Sequence, residues 1–339
     1  MKFARSIGLA ALAVSAPVAA QVNLNASSWL PPTHALTAAM LVPLCQDMEK
    51  VTSGRVKCNL LPKHPVAPPQ TWDAVRDGVL DLSFGTHGYV PGRFTLAEAM
   101  EFPFMGNTAV ANSVAYQRIF ERMLAKYDDH KGVVPLAMFT HGPAAIYNTK
   151  RPVKGLKDLQ GMKIRVGGAV VGDIMTALGA VPMLKPASET YELLSSGVAD
   201  GTAITIEAPV SFKFLPVVKH ATYIPGGLYT QSFAWIANPA KWNSIPDADR
   251  KLIQPLIGEA LSRRQGRAWD TADEKGVAAV REAKIPIVNA SRSFVAEIKA
   301  KTGALEKAWI ENKAKPKGVD GAALLKALRA EIVKVTKEK

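Results

Sequence analysis

The sequence predicts an α/β protein of two domains that exchange segments, with one long helix running along both. Three observations predict it. Short apolar strands alternate with amphipathic helices along nearly the whole chain. The 339 residues are enough for two cores. No internal repeat and no low-complexity linker divides the chain into consecutive pieces, so the expected domains are 21–143 with 231–272, and 144–230 with 273–339.

The ends come first. Lys2 and Arg5 precede an apolar run over 7–14 and the small residues Ser15 to Ala20. Val18 and Ala20 suit the −3 and −1 positions of a signal-peptide cleavage site. The run is far shorter than the roughly 20 residues a membrane span needs. Residues 1–20 are therefore expected to be a cleaved export signal, leaving a soluble mature chain.

From there the elements follow in order. Val22–Ala26 alternates as a strand, and a helix over 34–49 follows Pro31-Pro32, kinked at Pro43. Residues 55–60 form a strand. Residues 71–78 form a helix stopped by Gly78, and 80–84 a strand that enters the turn Gly85 to Gly88. Another strand covers 133–139. A second unit begins near 145, with strand 163–166, Gly167-Gly168, helix 170–178, extended 180–183 and a helix from Ser188 to Leu194. Residues 199–203 form a strand or turn, 233–238 a strand, 247–283 an unusually long helix, and 293–337 two or three more helices.

Composition narrows the function. Hydrophobic residues at 48% and aromatics at 7% describe an ordered globular chain. The formal charge of +13 falls by two without Lys2 and Arg5. An exported protein meets little nucleic acid, so the basic balance favours an anionic small molecule, although a solvated lysine-rich surface accounts for it too. Cys45 and Cys58 either pair, as an oxidising compartment allows, or stay buried as free thiols.

Catalytic patterns are missing from the sequence. It holds no nucleophile elbow, no P-loop and no His-Glu-x-x-His pair, and its histidines never fall at metal-ligand spacing. Gly167 to Gly172 is similar to a dinucleotide loop but lacks its glycine order, so no cofactor is expected.

Binding chemistry has better candidates, all near strand ends. Arg165 closes a short strand before two glycines, at the carboxyl end where α/β sheets bind ligands. Its guanidinium can offer two parallel N–H groups to a carboxylate; a structural ion pair across the domain is the alternative. His87 and Tyr89 sit on a glycine-bounded turn after one strand, and His141 follows another. Trp29 and His34 flank Pro31-Pro32. Glu207 follows Ile204-Thr205-Ile206, where it would hold a ligand hydroxyl or pair with Arg165. Tyr229 and Phe233 flank the return after Pro225-Gly226-Gly227. For each aromatic, core packing is the competing reading.

At Gly161-Met162-Lys163-Ile164-Arg165-Val166 the pattern becomes that of a family. Glu189-Thr190-Tyr191, Val198-Ala199-Asp200-Gly201, Trp242-Asn243-Ser244-Ile245-Pro246 and, upstream, Asp77-Gly78-Val79 accompany it. In this order, over nearly all of the mature chain, they resemble the periplasmic solute-binding proteins of tripartite ATP-independent periplasmic (TRAP) transporters. The resemblance implies a two-domain periplasmic binding fold with domain-crossing strands, closure around a ligand, and a salt bridge from Arg165 to the ligand's carboxylate. It also implies a periplasmic, monomeric, non-enzymatic protein whose partners are the small and large membrane subunits. Three departures bear on the ligand. Ala144-Ala145 stands near where some relatives carry a second arginine, Thr202 to Thr205 replaces a Gln-Glu-Asn-Pro run, and Ala187 replaces a Phe. Losing a cation and a ring points to a monocarboxylate with a larger or less polar tail, such as an aromatic or 2-oxo acid. A partner of a membrane sensor or a secreted enzyme would be the other readings.

Overall fold

Buried apolar strands need helices on their faces, and this chain supplies them around two separate sheets. The computed structural model describes residues 21–338; the expected export signal lies outside them. The first sheet contains β1 (Val22–Ala26), β2 (Val56–Leu60), β3 (Leu82–Thr86), β4 (Val134–Thr140) and β10 (Ser232–Ala237), in the order β2-β1-β3-β10-β4. The second contains β5 (Ala144–Asn148), β6 (Lys163–Val166), β7 (Val181–Leu184), β8 (Gly201–Thr205), β9 (His220–Tyr223) and β11 (Ile287–Asn289), in the order β11-β9-β5-β8-β6-β7. Each sheet is the centre of one α/β domain. β3, β5 and β8 are buried at every residue, as expected of strands covered on both faces.

Two adjacent strands carry the chain between the domains. β4 leads into β5 through His141-Gly142-Pro143, and β9 returns to β10 through residues 224–231. These segments pair along the crossing: β10 is antiparallel to β4, β5 is antiparallel to β9, and between them Ala144 N–H donates to Tyr229 O at 3.1 Å.

The third connection is the helix Glu259–Glu282. The expected helix over 247–283 is interrupted. Asp247–Ile253 is a separate helix, Pro255 begins the break, and Gly258 at φ 61 completes it with a left-handed backbone that glycine supplies cheaply. The remaining 24 residues still touch both domains. A Cβ on Gly266 would meet the backbone of Val110 at 2.5 Å, and one on Gly276 would meet Glu207 Cα at 2.6 Å. Asp270, between them, accepts the N–H groups of Ala109 and Val110, the orphan donors at the start of helix Ala109–Ile119.

Other expectations are adjusted. The helix over 34–49 runs unbroken through Pro43, as a π-turn, Thr37–Leu41, that continues into Val42–Val51; the π-turn stands immediately before the proline, where the ladder lacks one N–H donor. Cys45 on that helix and Cys58 on β2 form a disulfide with Cα atoms 5.5 Å apart. Ser188 gives no side-chain cap; a single 3₁₀ turn, Ala187–Glu189, leads into Thr190–Ser195. Helix Gly321–Thr336, grouped from sequence with the second domain, packs on the first. It lies against helix Ala109–Ile119 and the turn Ala97–Met100 of that domain. Glu331 binds Arg118 at 3.0 Å and Arg122 at 2.7 Å. An amphipathic stripe shows that a helix is covered, not by which domain.

Candidate ligand-binding site

The carboxyl ends of β1, β3, β4, β6 and β8 converge where the two domains meet, and a cavity lies there. Trp29, His34, Tyr89, His141, Arg165, Glu207, Tyr229 and Phe233 all line it. So do Gln231 from the crossing, Phe212 from the second domain and Trp269 from the long helix.

Arg165 is 1% exposed. The main chain seats it: Nε donates to Lys185 O at 2.8 Å, while Thr202 on neighbouring β8 donates its hydroxyl to Arg165 O at 3.3 Å. No described carboxylate pairs with it, and the Tyr89 hydroxyl stands beside its guanidinium. Gly167 leaves the room, since a Cβ there would lie 3.2 Å from Nη2. A buried cation without a counter-ion is costly, and here its open side faces the cavity.

The walls are mainly aromatic. Phe233 stacks on Phe139 with centroids 5.1 Å apart and meets Trp269 at 5.4 Å. His141 stands 5.6 Å from Trp269 and 5.4 Å from Tyr229, and Trp29 stands 5.6 Å from Tyr89. Tyr229 donates its hydroxyl to Ala203 O at 3.0 Å, leaving the ring as wall. His141 is also wall. Its Nε2 accepts Gln231 N–H at 2.9 Å and its Nδ1 donates to Gly142 O, so both nitrogens are used. Burial lowers its pKa to about 4, which keeps the ring neutral.

Glu207 stands on the same cavity as a buried acid. Oε1 accepts the Thr205 hydroxyl at 2.7 Å and faces His34 Nε2 at 3.6 Å. Leu36 N–H donates to His34 Nδ1 at 3.1 Å, so the ring proton sits on Nε2, toward Glu207. Burial pushes the Glu207 carboxyl up, but His34 and the neighbouring Ser211 and Thr205 hydroxyls outweigh it and hold the pKa below the usual value. Its backbone N–H donates to Asp273 at 3.0 Å. Burial, then the Glu207 charge, drive Asp273 well above the normal carboxylate range.

His87 does not reach the cavity. Its Nδ1 meets Ser232 Oγ at 3.1 Å and its Nε2 meets His130 at 2.8 Å, beside Trp72 and Phe94. The residue two further along the turn, Tyr89, takes the place at the cavity. A turn after a strand sends successive side chains to different sides, and sequence alone does not say which turns inward.

The domains touch across the cavity mouth. Tyr89, from the first, accepts Ala187 N–H of the second at 2.9 Å. Gly88 and Gly168 approach so closely that a Cβ on Gly88 would lie 2.9 Å from Gly168 Cα, with the Gln231 amide beside both. Gln231 donates through Nε2 to Glu101, and its Oε1 has no partner among the described residues. Gln231 and Trp269 escaped sequence analysis. One is a polar residue in a buried crossing, the other one aromatic on a helix already expected to be buried.

Comparison with known proteins agrees with this architecture. Over the full chain it is similar to the outer membrane transporter protein TsaT of Comamonas testosteroni, 28% identical over 335 residues, with 98% of each chain covered. A TRAP periplasmic solute-binding protein from Bordetella bronchiseptica, solved with bound (R)- and (S)-mandelate, is 43% identical at a TM-score of 0.90, covering 92% of this chain and 99% of that one. A marine-metagenome TRAP solute-binding protein specific for aromatic acid ligands, solved with 3-hydroxybenzoate, is 34% identical at a TM-score of 0.89, covering 94% and 100%. The family model for bacterial extracellular solute-binding protein, family 7, matches residues 26–312. The chain therefore belongs to family 7 of the bacterial extracellular solute-binding proteins, the DctP-type binding proteins of TRAP transporters.

Proposed function

We propose that this protein captures a small aromatic monocarboxylate in the periplasm and delivers it to the small and large membrane subunits of a TRAP transporter, without chemical change to the ligand. One observation carries the reading: a buried arginine with no carboxylate partner among the described residues faces a cavity walled by aromatic rings. The planar fork suits a carboxylate, and the rings suit a flat apolar body. The two solved relatives reported above hold aromatic acids, which supports the same class here. A 2-oxo monocarboxylate is the competing ligand class, since it would satisfy Arg165 but leave the rings poorly covered.

Capture proceeds by closure. In the open form the carboxylate docks on Arg165, presented by the second domain. The first domain then brings Trp29, His34 and Tyr89 over the remainder, with bending at the crossings near 141–144 and 224–231. The domains that move are 21–143 with 231–272, and 144–230 with most of 273–339, helix Gly321–Thr336 travelling with the first. Closure excludes water and strengthens the ion pair. Exported protein of this kind acts as a free monomer that the membrane subunits recognise in its closed form.

The test is a thermal-shift screen of refolded mature protein against benzoate, mandelate, pyruvate, succinate and glucuronate. A ligand at 100 times its Kd stabilises by about 2.7 kcal/mol. The aromatic acids are expected to raise the melting temperature, and Arg165→Ala to abolish the shift while retaining native circular dichroism. Arg165→Lys keeps the charge but not the fork, so at least a tenfold weaker Kd is expected. Equal shifts in wild type and Arg165→Ala would overturn the assignment, and a response to pyruvate alone would replace the ligand class.

A further inference from the structure

The cavity holds a second charged group that carboxylate capture does not use. Glu207 is 2% exposed and lines the same cavity as Arg165, yet the two do not pair. They enter from separate places: Arg165 is in register with Thr202, and three more residues of β8 and a turn intervene before Glu207. At about 3.3 Å per strand residue, their backbones stand on the order of 10 Å apart.

Its two oxygens differ. Oε1 is occupied by Thr205 and faces His34. Oε2 is buried and has no hydrogen-bond partner among the described residues. The Ser211 hydroxyl contributes to the carboxyl's low pKa but stands outside hydrogen-bonding geometry. The seat is rigid, because the Glu207 backbone is tied to Asp273 and lies against Gly276 of the long helix. A fixed, desolvated carboxylate oxygen is a strong acceptor and is costly to leave unmade. Trp29 and Trp269 also line the cavity, and their indole N–H groups are buried without acceptors.

Resting on the carboxylate-capture reading above, we infer that Glu207 selects for ligands that carry a hydroxyl on the body of the molecule, received by Oε2. A hydroxyl meets both demands of this wall: it donates to the carboxylate and can accept from an indole N–H. An aryl amine donates but accepts poorly, because its lone pair is shared with the ring, and an unsubstituted ring does neither. A plain aromatic acid would satisfy Arg165 but leave a buried carboxylate oxygen unpaired. Glu207 is thus a specificity-determining residue, distinct from the anchor.

Isothermal calorimetry on the refolded protein tests this with benzoate, the three hydroxybenzoates, the corresponding aminobenzoates, phenylacetate and mandelate. In wild type, at least one hydroxylated acid is expected to bind roughly ten- to a hundredfold tighter than its parent, the range for a hydrogen bond to a charged group. Glu207→Ala and the better-packed Glu207→Gln should both narrow that ratio, by weakening the hydroxylated acid more than its parent. A native circular-dichroism spectrum and measurable binding of the parent acid show that the fold and the Arg165 anchor are intact. Equal binding of parents and hydroxylated acids in wild type overturns the inference, as does a preference that survives both substitutions. Aminobenzoates binding as well as hydroxybenzoates would overturn the hydroxyl assignment. Failure of the underlying reading looks different: no carboxylate would bind wild type at all.

Discussion

Much of the site depends on side chains that are absent. Gly88 and Gly168 bring two domains to backbone contact, and the amide of Gln231 fills the remaining space between them. Neither glycine adopts a left-handed backbone, so the requirement is one of space. Gly88→Ala is therefore expected to hold the domains apart. Ligand Kd should rise at least tenfold, and small-angle scattering should lose the compaction that ligand causes in wild type. The melting temperature of unliganded protein should hardly move, since the clash exists only on closure. Undiminished affinity would mean that the Gln231 amide swings aside and the contact is dispensable. Such contacts mark the limit of residue-level reading. Arg165 and Glu207 could be read as candidates because each sits at or just beyond a strand end, and Tyr229 because it follows the Pro225-Gly226-Gly227 turn. His87 had the same local signature yet turned into the core, and Gln231 had none.

At the scale of elements, strands and amphipathic helices could be read from periodicity, while their interruptions needed geometry. Gly258 and Pro255 divide what reads as one helix over 247–283, yet Gly266 and Gly276 inside the surviving part break nothing, because other backbones pack on them. The same residue type signals a stop in one place and a close approach in another. The disulfide illustrates a choice that sequence left open. Cys45 on helix Val42–Val51 and Cys58 on β2 are 13 residues apart and tie the helix to an edge strand of the first sheet. Closing a loop of that order is worth about 3 kcal/mol through the unfolded chain. Cys45→Ser with Cys58→Ser should lower urea stability by roughly that amount. Arg165 lies in the other sheet, so ligand affinity measured below the unfolding transition should be unchanged. A loss of affinity instead would mean that this strap also sets the geometry of the cavity.

For the molecule as a whole, buried titratable groups of opposite tendency predict how stability varies with pH. Burial lowers His64 and His141 to about 4 and His130 to about 3, and sends His87 down as well. The unfolded chain binds protons at these sites near pH 6.5 while the fold refuses them, so stability falls as pH drops from 6.5 toward 4. Glu101 behaves oppositely. Burial raises it to about 8, against the hydrogen bonds it accepts from Ser232 and Gln231 at the domain crossing. Asp273, also raised, acts in the same sense. A raised acid stabilises fully below its unfolded value near 4.5, and that contribution drains away as pH climbs toward the folded value. Burial raises Glu98 and Asp270 as well and lowers His220, so between 4.5 and 6.5 five histidines still outnumber four acids; above 6.5 the acids act alone. The melting temperature should therefore peak near pH 6.5. Above the peak, Glu101 costs at most about 1.4 kcal/mol per pH unit. Glu101→Gln keeps the size and one acceptor but cannot ionise. Its melting curve should match wild type on the acid side and fall less steeply between pH 6.5 and 8. Parallel alkaline limbs in the two proteins would show that Glu101 is already ionised in the fold, its charge carried by the amide and hydroxyl of the crossing.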